Sequence, residues 1–190
     1  MTRQIEQSVC VDKRFQMSAA RRLGHARGFH DPADYRDLAQ SETATPDELT
    51  ILATSEYPFV VQAVAANPRT PRPVLCELVP AAADTEQNTD LLRALARNPS
   101  LPHDALRGIA QILMPLVDTT HPHMVQNAVL ALYERPDVPE DLLHELLDAP
   151  QATRKFKKLV AARTTRPGVR ERLLADPSEA VRRAASRPRT

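Results

Sequence analysis

Tryptophan is absent from this chain of 190 residues, and aromatic side chains make up only 4% of it. It has 2 cysteines and 4 glycines. Two cysteines cannot supply a four-cysteine zinc or iron–sulfur site. Four glycines all but exclude the Gly-rich loops that cradle phosphates. No long apolar run exists either. The most apolar stretch, Leu106 to Val117, is interrupted by Arg107, Gln111 and Pro115. It is too short and too polar to span a bilayer. Residues 1 to 30 carry six basic groups and no continuous apolar segment, unlike a secretory signal. The expectation is a cytoplasmic protein with no membrane association, with Cys10 and Cys76 as reduced thiols.

What is present is ordinary for a folded protein: 42% hydrophobic and 26% charged residues. The abundant residue is proline, 17 in all. Proline breaks helix interiors and central strands but suits the first turn of a helix. Here it punctuates a repeat. Asp31-Pro32 and Thr45-Pro46 each begin a stretch with apolar residues three, six and seven positions on, one face of a helix. Thr70-Pro71, Leu101-Pro102, Val138-Pro139 and Arg166-Pro167 repeat the start, the last three without a capping side chain. A second helix follows in each unit. Val61 to Pro68 matches Leu92 to Pro99 position for position; Val129 to Pro136, Lys157 to Thr164 and Val181 to Pro188 are further copies. Alanines in these copies (Ala63, Ala65, Ala94, Ala96, Ala161, Ala162, Ala184, Ala185) permit close helix stacking.

Periods of this length with two helices per unit predict an all-α fold, an α-solenoid of degenerate two-helix repeats. Units begin near residues 31, 45, 70, 101, 138 and 166, so the array covers 31–190. Val11 to Arg27 reads as one amphipathic helix stopped by Gly28, so residues 1–30 are expected to form an N-terminal helical cap. Cys76 is expected in the core, on the apolar face of its helix with Val74, Leu75 and Leu78.

The pattern Thr-Pro, Leu-x-x-Leu-Ala, Val-Arg/Gln-x-Ala-x-Ala-x-Asn-Pro-x-Thr-Pro resembles the variant leucine-rich repeat family of bacteria, best between Thr45 and Pro71. The resemblance implies a right-handed superhelix in the style of HEAT and armadillo arrays, pairing an α-helix with a shorter, often 3-10, helix. The later units are longer than the family's period and look more HEAT-like. Some members carry an N-terminal cysteine cluster for an iron–sulfur centre; this chain has only Cys10 in that region, so no cofactor is implied.

The net charge of +1 hides an asymmetry. Residues 1–30 carry +4, residues 31–153 carry −12 and residues 154–190 carry +9. Such a distribution points to partners. Arg154, Lys155, Lys157, Lys158, Arg163, Arg170, Arg182 and Arg183 come from successive units and are the candidate binding residues. They fit an acidic protein surface, or phosphate backbones with strong salt dependence. Phe156 is the only aromatic among them, so base-stacking platforms are missing. Gln62, Arg93, Lys158 and Arg182 hold one repeat slot and define a stripe, for binding or for bonding to neighbouring carboxylates and helix ends. The first-turn acids Asp47, Glu48, Asp104, Glu140 and Asp141 complement helix dipoles. His121-Pro-His123 falls short of the three or four ligands zinc needs. No recognised catalytic motif is present. The expectation is a non-catalytic interaction module or adaptor with a protein partner, and a nucleic-acid-binding accessory protein as the alternative.

Overall fold

A computed structural model describes residues 23–187, except 25, 30, 84–85 and 118–121. The expected cap over residues 1–30 and the His121-Pro-His123 pair lie largely outside the described residues, as does Cys10. All regular structure among the described residues is helical. The chain divides into two compact units with the boundary between Leu78 and Val79.

The first unit shows why the proline dipeptides begin helices. Helix α1 spans Pro32–Gln40 and α2 spans Pro46–Leu52. The Asp31 carboxylate accepts the Ala33 N–H at 2.6 Å, and the Asp31 N–H donates to the Asp34 carboxylate at 3.1 Å. Thr45 and Glu48 form the same reciprocal box, Glu48 N–H to Thr45 Oγ1 at 3.3 Å and Thr45 N–H to Glu48 Oε2 at 2.9 Å. Each box satisfies donors that the helix itself leaves unpaired. Helix α3 (Pro58–Ala66) buries Val60, Ala63, Val64 and Ala65. Those residues share a core with Ala39, Ala44, Leu49 and Leu52. Just before α1, Gly28 has φ +70°, and the Phe29 N–H donates back to Gly24 O at 2.9 Å. That is the left-handed stop expected of this glycine.

Helix α1 packs mainly on α3, and α2 rests on both. The helix after Pro32 therefore occupies the place of a second helix, where the repeat pattern made it a first one. Two further expectations fail in this unit. Thr70 does not cap a helix: Pro71 is the N-cap of α4 (Arg72–Glu77), and Thr70 Oγ1 turns back to donate to Val64 O at 2.6 Å. Cys76 is exposed and not in the core. Helix α4 has only 6 residues. Its buried side is Val74 and Leu75, and one more residue turns the chain away by about 100°.

The second unit alternates α5 (Glu86–Arg97), α6 (His103–Leu113), α7 (Pro122–Glu134), α8 (Glu140–Asp148), α9 (Arg154–Arg163), α10 (Pro167–Leu174) and α11 (Glu179–Ser186). A 3-10 turn, Met114–Leu116, extends α6 through Pro115. Helices α5, α7, α9 and α11 follow one another in contact, each packing on the next. Helices α8 and α10 also pack together, and Arg107 of α6 reaches Asp141 and Glu145 of α8. The unit is thus two rows, α5–α7–α9–α11 and α6–α8–α10. Both helices of each pair are α-helical among the described residues here, the HEAT-like form that the length of the later units allowed in place of the family's 3-10 helix.

The matched repeat copies share one core register. Seven and six residues before the next helix-start proline, Val64/Ala65, Leu95/Ala96, Leu132/Tyr133 and Val160/Ala161 are all buried. Of the other alanines singled out, Ala63 and Ala185 are buried, Ala94 and Ala184 half-buried, and Ala162 exposed. Tyr133 stands where the other copies have alanine. It is fully buried, and its hydroxyl donates to Leu143 O at 3.0 Å. Burial, helped by the Asp148 charge, pushes its phenol far above the ordinary range, so it stays a neutral donor.

Candidate interaction surface

The eight candidate cations divide into two groups. Five are engaged within the unit. Lys157 Nζ lies 3.1 Å from the buried Asp176 carboxylate. Arg163 pairs with Glu134 at 3.3 Å, and Glu134 also takes Arg97 at 3.4 Å, so one carboxylate links α5, α7 and α9. Arg170 donates to Arg187 O at 2.5 Å. Arg182 donates to Asp176 O and Pro177 O at 2.7 and 2.8 Å. Arg183 pairs with Glu179 one turn back, at 2.5 Å. The remaining three, Arg154, Lys155 and Lys158, are exposed and have no partner among the described residues. All three lie in the first half of α9, which has no acidic residue in its first turn. The Thr153 hydroxyl caps that helix by accepting the Phe156 N–H at 3.3 Å.

The stripe of Gln62, Arg93, Lys158 and Arg182 has no common interaction. Arg93 pairs with Asp90 on its own helix at 2.8 Å, and Arg182 binds carbonyls just ahead of its own helix. Lys158 is free on the surface.

Two arginines matter more than their positions in the sequence suggested. The last carbonyls of a helix have no partner within it. Here they are taken by a side chain from the next linker along the row. Arg135 is only 5% exposed. Its guanidinium, on the linker after α7, donates to Ala96 O and Asn98 O at the end of α5, at 3.3 and 2.5 Å. Arg166, on the linker after α9, donates to Arg135 O, Pro136 O and Val138 O after α7. In the first unit, Asn67 Nδ2 donates to Ala39 O and Ser41 O, and Arg69 to Glu42 O. Cations are favoured at helix C-termini, and these cap one helix from its neighbour. The signal in the sequence was an Asn or Arg in each linker beside a proline.

Asp137 completes the Arg135 site, accepting from its Nε and Nη2 at 2.9 and 2.5 Å. The Arg135 hydrogen bond holds the Asp137 carboxyl below its ordinary value of 3.8, although partial burial works the other way. Glu48 is likewise lowered from 4.5, first by the Thr45 N–H against the opposing effect of burial, then by Arg27. A lowered folded-state pKa means that the stabilisation is present above the unfolded value. It is lost as pH falls through the folded one. The melting temperature is therefore expected to drop as the solution is taken below about pH 4. Asp137→Asn should flatten that dependence in a pH series of thermal melts. An identical slope in wild type and variant would show that Asp137 does not titrate this way.

A polar pocket of about 180 Å³ adjoins α9, lined by Leu147, Asp148, Lys157, Arg172, Asp176 and neighbouring residues. Two ion pairs sit in it, Lys157–Asp176 and Arg172–Asp148, the latter at 2.5 Å. Its charges balance. Among the described residues no group of three or more His, Cys, Asp or Glu is placed to hold a metal ion. No described helix is long and apolar enough to cross a membrane.

Charge also segregates by row. The helices α5, α7, α9 and α11 carry 9 basic and 4 acidic residues, net +5. The helices α6, α8 and α10 carry 3 basic and 6 acidic, net −3.

No family model matches the chain, and neither does any curated protein or solved structure.

Proposed function

We propose that the chain is a non-catalytic interaction module, a right-handed α-solenoid of the variant leucine-rich or HEAT-like kind that binds an acidic protein surface. The site narrows to Arg154, Lys155 and Lys158 at the start of α9. One observation carries the reading: three exposed, unpaired cations occupy the end of a helix where the dipole disfavours positive charge. Folding gains nothing from them there, whereas the other five candidates have internal partners. An acidic surface laid against α9 would relieve the mutual repulsion and bring the complementary sign. The pocket beside Lys157 is charge-balanced and offers no nucleophile and base in catalytic arrangement.

The test is titration of the full chain with a labelled Glu-rich peptide and with labelled duplex DNA and RNA, each at low and high salt. Peptide binding that weakens with salt is expected. The triple variant Arg154→Glu, Lys155→Glu, Lys158→Glu should lose it while keeping its helical spectrum. Unchanged affinity in that variant would place the site elsewhere. Nucleic acid bound more tightly than peptide would replace the acidic protein with a phosphate backbone as ligand.

A further inference from the structure

The free cations of α9 have a counterpart on the other row of the same unit. Asp104 of α6 and Glu140 of α8 are exposed and have no ion-pair partner among the described residues. Asp141 and Glu145, one helical turn apart on α8, share the single guanidinium of Arg107, at 3.3 and 2.7 Å. Both carboxylates are well exposed, at 67% and 59%. Four carboxylates and one guanidinium leave three negative charges in surplus. On α9 the surplus is three positive charges, Arg154, Lys155 and Lys158. These cations reach no described carboxylate of their own molecule. The two surpluses are opposite in sign and of similar size, and they sit on different rows.

Resting on the reading of α9 as a binding surface, we propose that the acidic partner is a second copy of this chain. The α6–α8 face of one copy docks against the first turns of α9 in the next. The contact joins two different patches, so it is head-to-tail. Each added copy presents the same unfilled faces, and assembly is open-ended unless the rotation between copies closes a ring. Exposed ion pairs are individually weak and screened by salt. The association is therefore concentration-dependent and confined to low ionic strength. An array with opposite signs on its two rows extends by adding copies, without needing a large apolar interface.

Sedimentation velocity of the full chain over a concentration series tests this. At low salt the average mass should rise with concentration; at high salt it should return to that of one chain. Two charge-reversed variants sharpen the result. One carries Arg154→Glu, Lys155→Glu and Lys158→Glu; the other carries Asp141→Lys and Glu145→Lys. Each alone should remain monomeric, with circular dichroism confirming its fold. Mixed together they should associate again, because each restores the sign that the other lost. Wild type that stays monomeric at low salt overturns the proposal, and so does self-association that survives either reversal. Binding of the Glu-rich peptide by monomeric wild type would overturn the second copy as partner and leave the α9 surface standing. Failure of both assays would remove the surface as well.

Discussion

Arg135→Ala is expected to lower the stability of the second unit by about 3 kcal/mol, one of the two largest losses foreseen for any single substitution here. The guanidinium is almost fully buried, and it replaces water for Ala96 O, Asn98 O and the Asp137 carboxylate together. Truncation removes this donor from the buried Ala96 O and leaves Asn98 O with the Leu101 N–H, and such bonds are costly to leave unmade. It also removes the cation from the C-terminal end of α5, where the dipole favours it. Arg135→Lys should recover only part of the loss. An ammonium cannot fork between two carbonyls and a carboxylate as a planar guanidinium does. Urea unfolding of the three proteins measures the differences. A loss under about 1 kcal/mol for Arg135→Ala would mean that water replaces the side chain and that the cap is incidental.

Arg135 also shows where reading the sequence stops. The prolines are legible because their effect is local: Pro46, Pro58 and Pro167 each take the first turn of a helix, where the missing N–H costs nothing. The capping boxes at Asp31 and Thr45 are legible for the same reason, since every partner lies within three residues. The core register is legible because the copies repeat it. The partner carbonyls of Arg135 lie up to 39 residues away, and nothing in its neighbourhood announces them. Thr70 does not cap α4 because Pro71, one residue on, takes the N-cap position, and the Thr70 hydroxyl donates instead to Val64 O at the end of the preceding helix. Cys76 failed because a helix of 6 residues has too little length to bury a full apolar stripe. The block of +9 at the C-terminal end was visible at once. Its reduction to three free cations was not, because Lys157, Arg163 and Arg170 are engaged by groups that only the fold brings near, while Arg182 and Arg183 find theirs within a few residues. The segregation of charge by row has the same origin: alternate helices share a row, so linear blocks hide it.

The second large effect expected is that of Phe156→Ala, a loss of about 3–5 kcal/mol. Helix α9 is the most polar of the row α5, α7, α9 and α11, with Phe156, Val160 and Ala161 as its buried residues. Phe156 is fully buried and meets the Tyr133 ring edge-on, with centroids 6.2 Å apart. Its loss leaves a cavity the size of a ring, and it removes the main apolar anchor of a helix whose early residues repel one another. The charges of Arg154, Lys155 and Lys158 act against α9 at its N-terminal end, so helix formation there depends on packing and not on intrinsic preference. The damage should therefore be local before it is global. Hydrogen exchange should show amides of α9 losing protection more than those of α5, and binding of the Glu-rich peptide should weaken although no cation has been removed. Uniform loss of protection along the unit would instead mean that the rows unfold as one cooperative block. In that case the surface on α9 could not be loosened without unfolding the whole unit.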